Sequence, residues 1–104
     1  MPTFLKNLNE YKNFVSKKGL VVVDFYADWC GPCKFIAPIY EEWSKKYTDV
    51  AFGKVNVDEA DDIASEEAIE AMPTFIFYKD GQIIKKVQGA DQNQILSILE
   101  KKGI

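Results

Sequence analysis

The chain has 104 residues, of which 47% are apolar and 28% charged, with a formal net charge of −3. That length suits a single domain spanning residues 1–104 and is too short for two independently stable cores, while the apolar content excludes a disordered or fibrous chain. The weakly acidic balance excludes an electrostatic hold on nucleic acid or anionic lipid, and the longest apolar run, "LVVVDFYA", is too short to cross a membrane.

A short apolar start at Thr3–Leu5 precedes "NLNE", where Asn7 can cap a helix with Glu10 three residues on. Leu8, Tyr11, Phe14 and Val15 follow at helical spacing before Gly19. Residues 20–27 form a β-rich run without alternation, the pattern of a strand buried on both faces. From Gly31, Ile36, Ile39, Tyr40, Trp43 and Tyr47 recur every three or four residues, which predicts a second helix with the cysteines at its N-terminal end. Pro32 suits its first turn, and Pro38, inside it, predicts a kink. "VAFGKVNV" (50–57) reads as another buried strand and "DEADDIASEEAI" (58–69) as an acidic helix. In "MPTFIFYKDGQIIKKVQG", two β-rich runs meet at Asp80-Gly81, a two-residue hairpin signal. "DQNQILSILEKKG" closes the chain as a helix with Asp91 and Gln94 as its capping pair. The order βαβαβαββα predicts an α/β fold, a central mixed sheet with helices on both faces.

The only two cysteines are Cys30 and Cys33, in "WCGPCK". Two cysteines make no disulfide scaffold, so their spacing must be explained by chemistry. Positions i and i+3 of a helix face the same way, so this pair can close and open a disulfide without unwinding the turn. Cys30, where free backbone N–H groups and the helix dipole favour negative charge, is the expected nucleophile. Cys33, one turn in and expected to be more buried, can attack a mixed disulfide at Cys30 and expel the partner thiol. Zinc would need four ligands, and the chain has no histidine and no third cysteine. A purely structural disulfide is the plain alternative.

Asp24 lies among Val21–Val23 and Phe25, where burial would raise its pKa. Two readings stand: Asp24 reaches a strand end or pairs permanently with Lys54 of the equally apolar "FGKVNV", or it is a proton acceptor or donor for Cys33 whose charge Lys54 moderates.

With "VVVDFYADWCGPCK" and "AMPTFIFYKDG" together, the chain resembles the thioredoxin family over essentially its whole length. The resemblance implies a thioredoxin fold, a five-stranded mixed β-sheet flanked by four α-helices. On matching positions it makes Cys30 the attacking cysteine, Cys33 the resolving one, Asp24 the buried carboxylate and Lys54 the lysine beside it. Gly31 and Pro32 between the cysteines tune the site, and Pro73 matches the family's cis-proline, which abuts the dithiol. The backbone of Met72 would then pair with an extended substrate segment, and Trp29, Thr74, Gly89 and Ala90 would complete the docking surface. For Trp29 the plain alternative is packing, but an indole beside a reactive thiol is better suited to contact. Tyr26 stands where bacterial members commonly carry tryptophan, and "EAMPT" replaces their "RGIPT", so the chain looks like the eukaryotic cytosolic branch. It lacks the extra cysteines some animal members use for regulation, and a monomer is expected.

The implied activity is protein disulfide reduction without a bound cofactor or metal. Electrons would come from an NADPH-dependent flavoprotein thioredoxin reductase and pass to targets such as peroxiredoxin, ribonucleotide reductase or methionine sulfoxide reductase. The N-terminus "MPTFLKNLNEYK" has neither a basic n-region nor an apolar h-region, so a soluble, cytoplasmic protein is expected. Two competing functions are a disulfide isomerase or glutaredoxin-type oxidoreductase, against which Gly31-Pro32 argues, and a non-catalytic thioredoxin-fold binding module.

Overall fold

In the computed structural model, which describes residues 1–104, the elements run β1 (Thr3–Phe4), α1 (Leu8–Val15), β2 (Leu20–Tyr26), α2 (Gly31–Lys46), β3 (Ala51–Asn56), α3 (Asp61–Glu66), β4 (Thr74–Lys79), β5 (Gln82–Gln88) and α4 (Gln92–Glu100). The sheet order is β1-β3-β2-β4-β5, with β1, β3 and β2 parallel and β4 and β5 antiparallel to their neighbours. This is the five-stranded mixed sheet with four helices that the sequence led us to expect.

β2 lies at the centre, and its lack of apolar/polar alternation is explained by two cores, one on each face. Leu20 and Val22 pack with Ile36, Tyr40 and Trp43 of α2 and with Ile95 and Leu99 of α4. Val21, Val23 and Phe25 point the other way, onto Tyr11, Phe14 and Val15 of α1 and Ile63 of α3. Burying each of these side chains is worth roughly 1.5–3 kcal/mol, so central β2 is the strand whose position is most tightly held. Asp24, two residues on from Val22, falls on the α2 face by the same period of two.

The caps follow the sequence. Asn7 Oδ1 accepts from the Glu10 N–H at 2.9 Å, and Asp91 Oδ1 from the Gln94 N–H at 3.2 Å. Asp80 and Gly81 both take positive φ, 51° and 82°, as a tight β4–β5 turn requires. Pro38 lies inside α2 without ending it.

One expectation is corrected. The acidic helix expected over 58–69 is confined to Asp61–Glu66. Asn56 claims the stretch before it, with its side chain accepting from the Asp58 N–H and its carbonyl from the N–H groups of Glu59 and Ala60, which makes a turn. The two-residue hairpin forms as expected, and beyond it Tyr78 pairs with Ile83 and Phe77 with Lys85, so Ile84 is an extra residue bulged from the edge strand. No helix is long and apolar enough to cross a membrane.

Candidate active site

The fold delivers the cysteines to the point where β2 ends and α2 begins. Cys30 is the N-cap of α2, with extended backbone (φ −88°, ψ 114°), and Gly31 and Pro32 form the first helical positions. Pro32 fits there because a first-turn N–H has no helical partner to lose. The Cys33 N–H is free for the same reason and donates to Cys30 Sγ at 3.2 Å. The two cysteines are joined as a disulfide with their Cα atoms 5.3 Å apart. When the bond is open, that N–H and the helix N-terminus both favour a thiolate at Cys30.

The expected contrast in burial is small: Cys30 is 5% exposed and Cys33 3%. Direction separates them instead. Cys30 Sγ lies 3.7 Å from the Met72 carbonyl oxygen, on the side of the 71–74 loop. Cys33 lines a cavity of about 410 Å³ together with Asp24, Tyr26, Asp28 and Lys54.

The surface around Cys30 gathers most of the residues singled out in the sequence. The Met72–Pro73 peptide bond is cis, and Met72 packs against Ala27, Cys30 and Cys33. Gly89 takes φ 88°, a left-handed backbone that favours glycine, and its N–H donates to the Pro73 carbonyl at 2.7 Å. That bond ties the end of β5 to the cis-proline. Gly89 and Ala90 are half-buried. Trp29 is 68% exposed, which rules out the packing alternative. Thr74 departs from expectation: it is buried, and its hydroxyl donates to the Ala71 carbonyl at 2.5 Å. It shapes the loop under Pro73 and offers no exposed surface.

Asp24 is 1% exposed, and its Oδ1 has no hydrogen-bond partner. Burial pushes its pKa up from 3.8 to about 7, with Lys54 pulling in the opposite direction. The permanent Asp24–Lys54 ion pair allowed by the sequence is not formed: the chain's ion pairs lie at Met1–Glu41, Glu42–Lys45 and Asp49–Lys102. Lys54 is nevertheless a neighbour, register-matched with Asp24 across β2 and β3. Tyr40, beneath them, donates its hydroxyl to the carbonyls of Val22 and Gly53 and offers no proton to Asp24.

Sequence reasoning missed Asp58. Its carboxylate accepts from the Trp29 indole N–H at 3.0 Å and fixes the ring beside Cys30. No spacing rule links positions 29 and 58. The turn at Asn56 that aims Asp58 was hidden by reading 58–69 as helix.

With this geometry in view, the comparisons with known proteins point one way. The family model described as Thioredoxin matches residues 2–101. Thioredoxin-2 of Saccharomyces cerevisiae is 49% identical over 92 residues, covering 88% of each chain. The solved structure of Plasmodium falciparum thioredoxin aligns with a TM-score of 0.89 at 43% identity, over 95% of this chain and 97% of that one. A yeast structure described as bearing on thiol resolution in mitochondrial 1-Cys peroxiredoxin by the glutathione and thioredoxin systems aligns with a TM-score of 0.91 at 42% identity, over 96% and 94% of the two chains.

Proposed function

The chain belongs to the thioredoxin family and is a thiol-disulfide oxidoreductase, and from that premise we propose that it reduces disulfides in other proteins by a two-step exchange in which Cys30 attacks and Cys33 resolves. The single observation that carries this division of labour is the placement of the sulfurs: Cys30 at the helix N-cap beside Met72, and Cys33 facing the cavity that holds Asp24.

In the first step the Cys30 thiolate attacks one sulfur of the target disulfide. A Cys30–target mixed disulfide forms and one target thiolate leaves. In the second, Cys33 loses its proton to Asp24 and attacks Cys30 Sγ, which closes the Cys30–Cys33 bond and expels the second target thiolate. Two electrons have passed to the target. Asp24 suits the proton transfer because burial holds its pKa near 7, where it can both accept and release a proton at neutral pH. Lys54 keeps that affinity from rising further.

Target docking falls to the surface around Cys30. An extended target segment would pair with the Met72 backbone, while Trp29, held by Asp58, and the Gly89–Ala90 turn flank it. Gly31 and Pro32, which follow Cys30, are exposed and would lie on the side open to a target.

The oxidised pair must then be reduced, for which an NADPH-dependent thioredoxin reductase is the proposed electron source. Peroxiredoxin is a proposed target, supported by the yeast relative described in connection with one; ribonucleotide reductase and methionine sulfoxide reductase are further candidates of the same chemistry. A dithiol returned to its reduced state on every cycle suits a reducing compartment such as the cytoplasm.

Reduction of insulin by dithiothreitol, followed by turbidity, tests the reading. The wild-type chain should accelerate it, and a chain with both cysteines changed to serine should not. Equal rates would instead favour a non-catalytic binding role.

A further inference from the structure

Lys54 sits beside a buried carboxylate without touching it, and the sheet shows where it goes instead. Phe4, Lys54 and Asp24 occupy register-matched positions on β1, β3 and β2, so their side chains leave the sheet on one face. Tyr26, two residues on from Asp24, shares that face. The Lys54 ammonium lies 4.6 Å from the centre of the Tyr26 ring and 5.4 Å from that of Phe4. Both are within the roughly 6 Å at which a ring face attracts a cation. Lys54 is half-buried, so over the rings it keeps part of its hydration, which contact with the enclosed carboxylate would strip away.

We propose that Phe4 and Tyr26 are positioning residues for Asp24: their rings hold the Lys54 ammonium at the rim of the cavity and out of ion-pair contact with the carboxylate. From the rim the cation acts on Asp24 through space and offsets only part of the cost of burial. Freed from the rings, it could reach the unpartnered Oδ1. The carboxylate would then keep its charge to lower pH, and a carboxylate satisfied by an ammonium is a poor acceptor for the Cys33 proton.

The other charged or titratable groups around Asp24 do not duplicate this. From α2 come Cys33, Lys34 and Tyr40, with Lys34 exposed on the helix surface and Tyr40 bonded to backbone carbonyls. Asp28 lines the cavity from the segment after β2, and Glu59 acts on Tyr26. Only Lys54 is a cation in register with Asp24, and only Phe4 and Tyr26 hold it.

The inference deepens the proposed role of Asp24 and rests on it, but its test reads the carboxyl directly. The probe is a ¹³C-carboxyl NMR titration of Asp24 in the disulfide form of the full chain, where Cys33 has no proton to exchange. In Phe4→Leu/Tyr26→Leu the midpoint should fall by about one pH unit or more, a tenfold loss of proton affinity. Tyr26→Phe, which keeps the ring, should hold the wild-type midpoint. In a Lys54→Met background, removing the rings should leave the midpoint where Lys54→Met alone puts it.

An unchanged or higher midpoint in the double variant would overturn the proposal. So would an equal fall without Lys54, or a fall in Tyr26→Phe matching that in Tyr26→Leu. Phe4 is 56% exposed, so Phe4→Leu can be read even if Tyr26→Leu fails to fold, with a two- to threefold fall expected and no fall contradicting. If these shifts are seen but Asp24→Asn reduces insulin at the wild-type rate, the clamp stands and the role of Asp24 toward Cys33 fails.

Discussion

Replacing Asp24 with Asn should stabilise the protein at neutral pH while slowing the reaction. The folded chain holds the Asp24 proton up to about pH 7, whereas the unfolded chain releases it near 3.8. Between those values the folded state binds more protons, so stability falls as pH rises. The contribution is complete below about pH 4 and gone above about pH 7. At about 1.4 kcal/mol per pH unit, the difference amounts to roughly 4 kcal/mol. Asn cannot ionise and so avoids the loss, although its amide still needs partners in a site where Oδ1 has none. We expect the variant to be more stable by roughly 2–4 kcal/mol at pH 8 and close to wild type at pH 4. Urea melts of the disulfide form across that range measure this directly. The chain has no histidine, so little else titrates between pH 5 and 7 to blur the slope. A wild-type stability that stays flat there, or an Asn variant less stable at pH 8, would refute the reasoning and mean that the charge is well paired.

Two further outcomes follow from the surface around Cys30. Asp58→Ala removes the acceptor of the Trp29 indole, so kcat/KM for insulin should fall several-fold while stability, measured by denaturant melts, changes by less than about 0.5 kcal/mol. Gly89→Ala forces a side chain into a left-handed backbone with open space around it, so its cost of roughly 1–2 kcal/mol in the same melts is conformational, and amide exchange should show the Gly89–Pro73 bond weakened.

Much of this architecture was legible because the physics involved is local. Asn7 and Asp91 cap as their spacing suggests, and Asp80-Gly81 turns as its backbone needs require. The unalternating run at Leu20–Phe25 correctly announced a strand between two cores. The parts that were not legible depend on contacts far apart in the chain. Asp58 meets Trp29 only because Asn56 turns the backbone, which also shortened the predicted acidic helix. Thr74 could not be told from a surface residue until the loop under Pro73 claimed its hydroxyl. The Asp24–Lys54 question turned on two rings, and sheet register alone brings Phe4 of β1 into reach of a lysine on β3. Ile84 bulges from β5 with no glycine or proline to mark it.

The order of attack by the two sulfurs is the heart of the account, and trapping tests it most directly. Reduced Cys33→Ser and Cys30→Ser variants would each be mixed with a disulfide-bonded protein substrate and examined by non-reducing gel and mass spectrometry. Cys33→Ser should accumulate a covalent complex through Cys30 that dithiothreitol releases, because the thiol that resolves it is missing. Cys30→Ser should accumulate none, since it is Cys30 Sγ that lies beside the Met72 carbonyl, while Cys33 lines the cavity with Asp24. Equal trapping by both variants, or trapping by Cys30→Ser alone, would contradict the assignment of the two roles.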